Sequence, residues 1–280
     1  MQNISTGLVR RLVDDQFPEW AGLPLTLVDP AGSDHVIHRL GPDLSVRLPR
    51  HEGAIGQATK ELEWLPRLAP HLPLAVPVPV AVGRPGLGYP WHWAVARWLD
   101  GEPATTALDS AETAETLAGF LRALRALPVD GAPTGNDGLA ARDPWTRAAI
   151  TKAADAFDAG PMTRLWDEAL AAPGWERPPV WFHGDFHTGN LLAGNGRVSA
   201  VIDFGGLGAG DPAVDLMMAF TLMSARTRPA FREALAVDDA TWLRGRGWAL
   251  SAGLIAYTAY AATDPHIAAV TTYQINQALA

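Results

Sequence analysis

The chain contains no cysteine, which removes disulfides, thiol catalysis and cysteine-based metal sites together and fits a reducing compartment. It has no unbroken apolar tract suited to crossing a bilayer, and its start, MQNISTGLVRRLVDDQF, lacks the basic-then-apolar layout of a secretory signal. A cytoplasmic protein without a membrane partner is expected. Positive charge is also scarce: 22 Lys and Arg face 30 Asp and Glu, a formal net charge of −8. That balance argues against a nucleic-acid partner, which requires clustered Lys and Arg to displace counterions. Neither an internal repeat nor a low-complexity tail is present. What 280 residues at 48% hydrophobic content do allow is two lobes, each with a sizeable core.

Patterning divides the chain. Ser5 or Thr6 is placed to cap a helix with Leu8, Val9, Leu12 and Val13 at helical spacing, closed by Pro18. Strand-like runs follow at 23–28, 35–40 and 44–48, the last two joined by a turn at Gly41-Pro42-Asp43. A helix with Ile55, Leu62 and Leu65 as apolar positions comes next. In the Pro- and Gly-rich stretch after it, 74–80 reads as an edge segment, because its prolines cannot donate to a central ladder. Residues 91–99 are expected to form the last strand, broken by Asp100-Gly101-Glu102-Pro103. Beyond it the pattern turns helical. Asp109 or Ser110 caps a helix with Leu117, Phe120, Leu121, Leu124 and Leu127 on one face, and the stretches near 143–157, 162–170, 212–224 and 242–262 read as helices, with a final one after Pro265.

The stretch from His183 to Asp215 carries the chemistry. His183-Gly184-Asp185 lies five residues before Asn190, and Asp203-Phe204-Gly205 begins thirteen residues after it. Phosphoryl transfer needs such a set: one carboxylate to orient or deprotonate an attacking hydroxyl, and an amide oxygen with a second carboxylate to hold Mg²⁺ against nucleotide phosphates. Leu191-Leu192-Ala193 and 198–202 read as strands of a hairpin turning at Gly194-Asn195-Gly196, which would bring Asn190 and Asp203 to one open end.

Three linked stretches, His183-Gly184-Asp185-Phe186-His187-Thr188-Gly189-Asn190, Ile202-Asp203-Phe204-Gly205 and Gly210-Asp211-Pro212 with Asp215-Leu216, resemble the aminoglycoside phosphotransferase family of small-molecule kinases, relatives of the protein kinases. The resemblance implies an α+β, bilobal protein-kinase-like fold: a small antiparallel-sheet lobe at 1–98, binding nucleotide, and a larger, mainly helical lobe at 99–280 with the catalytic loop, metal site and acceptor pocket. It implies Asp185 as the catalytic residue, Asn190 and Asp203 as Mg²⁺ ligands, and His183, Asp211 and Asp215 as the scaffold of the loop, with His187 facing cleft or solvent.

In the first lobe the resemblance makes Pro30-Ala31-Gly32-Ser33-Asp34 the loop over the nucleotide phosphates, Gly32 allowing close approach and Ser33 donating hydrogen bonds. An ordinary hairpin turn is the local alternative. Where many relatives carry a strand lysine that touches the α- and β-phosphates, this chain has Arg47, whose planar fork keeps the charge. Its acidic partner is assigned to Glu61 from the family spacing, with Glu63 the alternative. Ala96 to Trp98 would be the hinge meeting the nucleobase, which leaves ATP and GTP both open.

The rivals are a metallohydrolase using His183, Asp185 and His187, for which no second histidine cluster exists, and a nucleotide- or ligand-binding protein that performs no transfer. Only seven residues separate Asp203 from Asp211, too few for a peptide-docking segment. The expectation is therefore an ATP- or GTP-dependent O-phosphotransferase with Mg²⁺, acting on a small hydroxylated acceptor, an aminoglycoside or other antibiotic first and a metabolic alcohol second. Its nucleotide would lie between the lobes, and a monomer is plausible.

Overall fold

The computed structural model describes residues 4–28, 34–135 and 138–280. It divides into two compact units, Met1–Gly101 with Ala200–Gly205, and Glu102–Ser199 with Gly206–Ala280.

The first unit is an antiparallel sheet with two helices. Helix α1 (Thr6–Gln16) starts where the Ser5 hydroxyl accepts the Leu8 N–H, and it buries Val9, Leu12 and Val13. The strands are β1 (Leu25–Leu27), β2 (His35–Leu40), β3 (Leu44–Pro49), β4 (Pro79–Gly83) and β5 (Trp93–Arg97), with helix α2 (Ile55–Leu68) between β3 and β4 in sequence. Their order across the sheet is β1-β2-β3-β5-β4. Every residue of the central β3 is buried, and Leu44, Val46 and Leu48 join Val9, Leu12, Val13, Leu40, Trp93 and Val95 in one apolar cluster. Strand alternation leaves Ser45 and Arg47 directed to the opposite face, where α2 packs against β4 and β5.

The edge strand lies later than expected, at Pro79–Gly83 rather than 74–80. A proline at the first position of an edge strand loses no ladder bond. Of the preceding residues, Ala75 makes a single parallel bridge to Ala200.

The second unit is mainly helical. After the short β6 (Glu102–Pro103), α3 (Ala111–Arg125) is capped by Ser110 and buries Leu117, Phe120, Leu121 and Leu124. The elements that follow are α4 (Gly138–Ala141), α5 (Asp143–Ala153), α6 (Ala159–Ala171), β7 (Val180–Phe182), β8 (Leu191–Gly194), β9 (Arg197–Val201), β10 (Gly208–Gly210), α7 (Met218–Thr221), α8 (Arg228–Ala234), α9 (Asp239–Tyr260) and α10 (Pro265–Leu279). The hairpin β8–β9 turns on Asn195 and Gly196, both at positive φ (53° and 75°), the Asn-Gly pairing that suits strand twist. Strand β7 pairs with β10, and β6 adds itself to β8. Helix α9 is lined by α5, α6 and α10.

The helix expected over 212–224 is instead a buried 3-10 turn, Pro212–Met217, leading into the four-residue α7. Asp211 caps it through the Ala213 N–H, and its fully buried Asp215 spends its carboxylate on backbone amides outside the turn. The helix α8 and the strands β6, β7 and β10 are too short for periodicity to reveal.

A test of this packing follows from two glycines. An ideal Cβ on Gly83 would lie 1.9 Å from the buried Trp93 ring, whereas one on Gly56 in α2 would meet nothing within 4 Å. Gly83→Ala is expected to destabilise by about 1–3 kcal/mol or more through overpacking, and Gly56→Ala to stabilise by roughly 0.5–1 kcal/mol through lower helix-forming cost. Urea unfolding midpoints check both, and a Gly83→Ala midpoint at or above the parent value would contradict the packing.

Candidate active site

In the second unit the loop after β7 is held by its own backbone. The carboxylate of Asp215 accepts the N–H groups of His183 at 3.0 Å and Gly184 at 2.9 Å. Burial pushes the Asp215 carboxyl upward, opposed by the charge of Arg125 and by those two amides. Gly184 has φ +87°, and a Cβ there would fall 2.2 Å from the Gly206 carbonyl oxygen, so the position admits only glycine. The buried His183 ring accepts the Asp185 N–H at 3.2 Å, and Phe186 packs stacked on Phe120 of α3. Asp211 is gripped by Arg244 of α9 through two bonds, 2.8 and 3.1 Å.

This scaffold presents the Asp185 side chain, half of it exposed. Its Oδ2 and carbonyl oxygen both accept from Asn190 Nδ2, at 3.0 and 2.9 Å. His187 Nε2 is 3.4 Å from the same Oδ2, while His187 Nδ1 accepts the Gly189 N–H at 3.1 Å. Partial burial alone would raise the Asp185 carboxyl. The hydrogen bond and charge of His187, with His183 and Asn190, outweigh it and hold the group below its ordinary range. The result is an oriented carboxylate, ionised at neutral pH.

In the first unit, Arg47 Nη1 meets Glu61 Oε2 at 2.6 Å, both side chains being about nine-tenths buried. The second Glu61 oxygen accepts the Phe204 N–H at 2.9 Å. Burial pushes the Glu61 carboxyl up and Arg47 opposes it, with Asp203 adding an upward push. Glu63 points elsewhere, half exposed and 3.9 Å from Arg67. Asp203 is held at φ +63°, a left-handed conformation that Asp tolerates better than most residues, and its Oδ1 accepts the Gly205 N–H at 3.4 Å.

A family model described as the phosphotransferase enzyme family matches residues 28–248. The chain belongs to this family. Solved structures share its fold: the GDP complex of an aminoglycoside 2'-phosphotransferase-IIIa is 17% identical at a TM-score of 0.74, covering 99% of both chains. The macrolide 2'-phosphotransferase MphH from Brachybacterium faecium is 22% identical at 0.64, covering 97% of both. A streptomycin–ATP ternary complex of APH(2")-IIa is 15% identical at 0.60, covering 99% of this chain and 97% of that one. No curated protein matches the chain. The α+β fold, with its antiparallel-sheet unit and its mainly helical unit, is thus that of phosphotransferases in this family.

Within this phosphotransferase, Asp185, Asn190, His183, Asp211 and Asp215 all lie in the second unit, and Arg47, Glu61 and Asp203 in the first. Gly32 and Ser33 lie outside the described residues. At the expected hinge, Ala96 is buried in β5, the Arg97 N–H donates to Val78 and the Trp98 N–H to the Asp43 carbonyl. Those two N–H groups are therefore engaged within their own unit. The chemistry of the two residues expected to ligate Mg²⁺, one in each unit, is that of donors to a hard cation. Among the described residues Asn190 directs its nitrogen to Asp185, which leaves its Oδ1 without a partner there, and one Asp203 carboxylate oxygen accepts the Gly205 N–H at 3.4 Å. Among the described residues no group of three or more His, Asp or Glu is placed to hold a metal alone. One carboxylate and one amide suit Mg²⁺, which takes its remaining ligands from phosphate and water. No helix among the described residues is long and apolar enough to cross a membrane.

Sequence reasoning missed His35, on β2. It is buried, and among the described residues its Nε2 has no hydrogen-bond partner. Burial and the charge of Arg47 lower its pKa to about 4, with Asp203 and Asp34 opposing. A histidine in a strand-like run carries no pattern that would have marked it. Because the folded pKa of about 4 lies below the unfolded value, the unfolded chain binds the extra proton between the two. Stability must fall as pH drops through that window. His35→Asn is expected to remove up to ~3 kcal/mol of this acid sensitivity between about pH 6.5 and 4. Thermal unfolding across that range reads it, and identical pH slopes in variant and parent would refute a neutral buried His35.

Proposed function

We propose that this phosphotransferase moves the γ-phosphoryl group of ATP or GTP to a hydroxyl of a small molecule. The observation that carries the reading is the Asp185 carboxylate: half exposed, oriented by Asn190 and kept ionised by His187 on a loop pinned to Asp215. In the proposed step Asp185 orients the acceptor hydroxyl and takes its proton as the new oxygen–phosphorus bond forms. The bond from the γ-phosphorus to the bridging oxygen breaks, and nucleoside diphosphate leaves with those electrons.

Asn190 Oδ1 and Asp203 would hold Mg²⁺, which supplies positive charge to the phosphate oxygens when bound. Arg47, braced by Glu61 at 2.6 Å, contributes a second positive charge toward the phosphates, and an electrostatic term of this kind dominates phosphoryl transfer. Relatives of the same fold are named for GDP, ATP and ADP complexes, which supports a nucleotide co-substrate without choosing the base. Their names also put aminoglycosides and macrolides among the acceptors worth screening. A binding protein without turnover would have no need for an ionised, solvent-facing Asp185.

Incubation with Mg²⁺ and ATP or GTP, followed by mass detection of phosphoryl gain across antibiotics and metabolic alcohols, tests the reading. Asp185→Asn should keep nucleotide affinity and lower turnover by on the order of a hundredfold or more; turnover near the parent value would sink the assignment. Arg47→Ala should raise the nucleotide KM and slow transfer, and Arg47→Lys should recover only part, because an ammonium cannot reproduce the fork. Normal nucleotide kinetics in both variants would remove Arg47 from the phosphate site.

A further inference from the structure

We infer that Gln57 is a positioning residue that ties the loop expected over the nucleotide phosphates to the turn carrying Asp203, so that nucleotide and Mg²⁺ bind cooperatively through this one side chain. The inference rests on the phosphoryl-transfer reading and adds to it a residue that joins its two charged ligands. Every residue it uses lies in the first unit.

Of the loop expected over the phosphates, 30–34, Asp34 is the residue among those described, and it leads directly into β2. Its carbonyl oxygen accepts the Arg50 N–H at 2.8 Å, which fixes it to the end of β3. Its carboxylate is held from the side of α2. Gln57 Nε2 donates to Oδ2 at 2.8 Å, and His51 Nε2 lies 3.2 Å from Oδ1. Both oxygens are thereby engaged, and Gln57 is the one of the two partners that belongs to the helix itself.

The orientation of Gln57 follows from its partner. A carboxylate only accepts, so the glutamine must give it the NH₂ end of the amide and carry its oxygen on the other side. That oxygen meets Gly205. An ideal Cβ on Gly205 would fall 2.7 Å from Gln57 Oε1 and 2.9 Å from the amide carbon. Only the missing side chain of the glycine lets the amide lie against the turn, and a larger residue there would push one of them away.

Gln57 and Glu61 stand one helical turn apart on α2 and share a face. Glu61 accepts the Phe204 N–H at 2.9 Å, and Gln57 abuts Gly205. The two residues that follow Asp203 are therefore held at successive points, one by a hydrogen bond and one by contact. Each holding side chain has its other end on the phosphate side: Glu61 on Arg47, Gln57 on Asp34. Asp203 itself sits at φ +63°, a conformation that persists where the surroundings enforce it. Phosphates that order Asp34 thus order the Asp203 turn through Gln57. By linkage, a metal ion that orders Asp203 must tighten nucleotide binding by the same factor.

Calorimetry with the β,γ-imido analogues of ATP and GTP, each titrated with Mg²⁺ and with EDTA, reads the coupling as the ratio of the two affinities and needs no acceptor. Gln57→Ala is expected to lower that ratio by about fivefold or more. Gln57→Glu, which sets one carboxylate against another at the Asp34 contact, should lower it at least as far. The exchange Asp34→Asn with Gln57→Glu restores the bond with donor and acceptor reversed and keeps an oxygen toward Gly205, so it should recover most of the ratio. It preserves both side-chain volumes and decides the matter should Gln57→Ala fail to fold. A ratio unchanged in Gln57→Ala, an equal weakening with Mg²⁺ and with EDTA, or an exchange no better than Gln57→Glu alone overturns the inference and leaves the phosphotransferase reading standing. Absence of nucleotide binding by the parent protein in either condition overturns that reading and the inference with it.

Discussion

The loop that carries Asp185 depends on one buried carboxylate. Asp215 is wholly removed from solvent, and its two oxygens take the N–H groups of His183 and Gly184. A buried charge is costly unless fully paired, so the loop and the 3-10 turn carrying Asp215 must form together. The charge of Arg125 opposes the burial cost, and the paired Arg244–Asp211 contact fixes the start of the same turn against α9. From that anchor follow the glycine at position 184, the bond from the His183 ring to the Asp185 amide, and the exposure of the Asp185 side chain.

The first unit repeats the device with a different carboxylate. Glu61, buried on α2, divides its oxygens between a cation, Arg47, and a backbone amide, that of Phe204. In each unit a buried acid remote in sequence fixes a backbone segment, and the residue that would do chemistry, Asp185 or Asp203, lies within two positions of the amide that is held. Pre-organisation of this kind supplies rate without requiring the reacting groups themselves to be rigidly packed.

Chemical identity and local geometry were legible from the chain. The spacing of Asp185, Asn190 and Asp203, the caps at Ser5 and Ser110, the Asn195-Gly196 turn and the apolar faces of α1 and α3 are all set by residues within a few positions of one another. Such signals survive without tertiary context. The misplacements were of another sort. The edge strand slid to Pro79–Gly83, the run 212–224 wound first as a 3-10 turn, and α8 escaped notice. Proline at a strand start, a carboxylate recruited by a distant loop and a seven-residue helix each obey constraints that no local window contains.

The sequence by itself determined which atoms are available: a carboxylate for a hydroxyl proton, an amide and a carboxylate for a hard cation, an arginine where a lysine is common, and no thiol. Tertiary structure decided which of them act together, because partners such as Arg142 and Ser251, Phe204 and Glu61, or Gly184 and Asp215 are separated by 109, 143 and 31 positions. It selected Glu61 over Glu63 because only one face of α2 turns toward β3, left the His35 Nε2 buried and unbonded among the described residues, and set Arg142 over the Trp248 ring. Burial and long-range contact assign charge states and partners, and neither is written in the order of residues along a short stretch of chain.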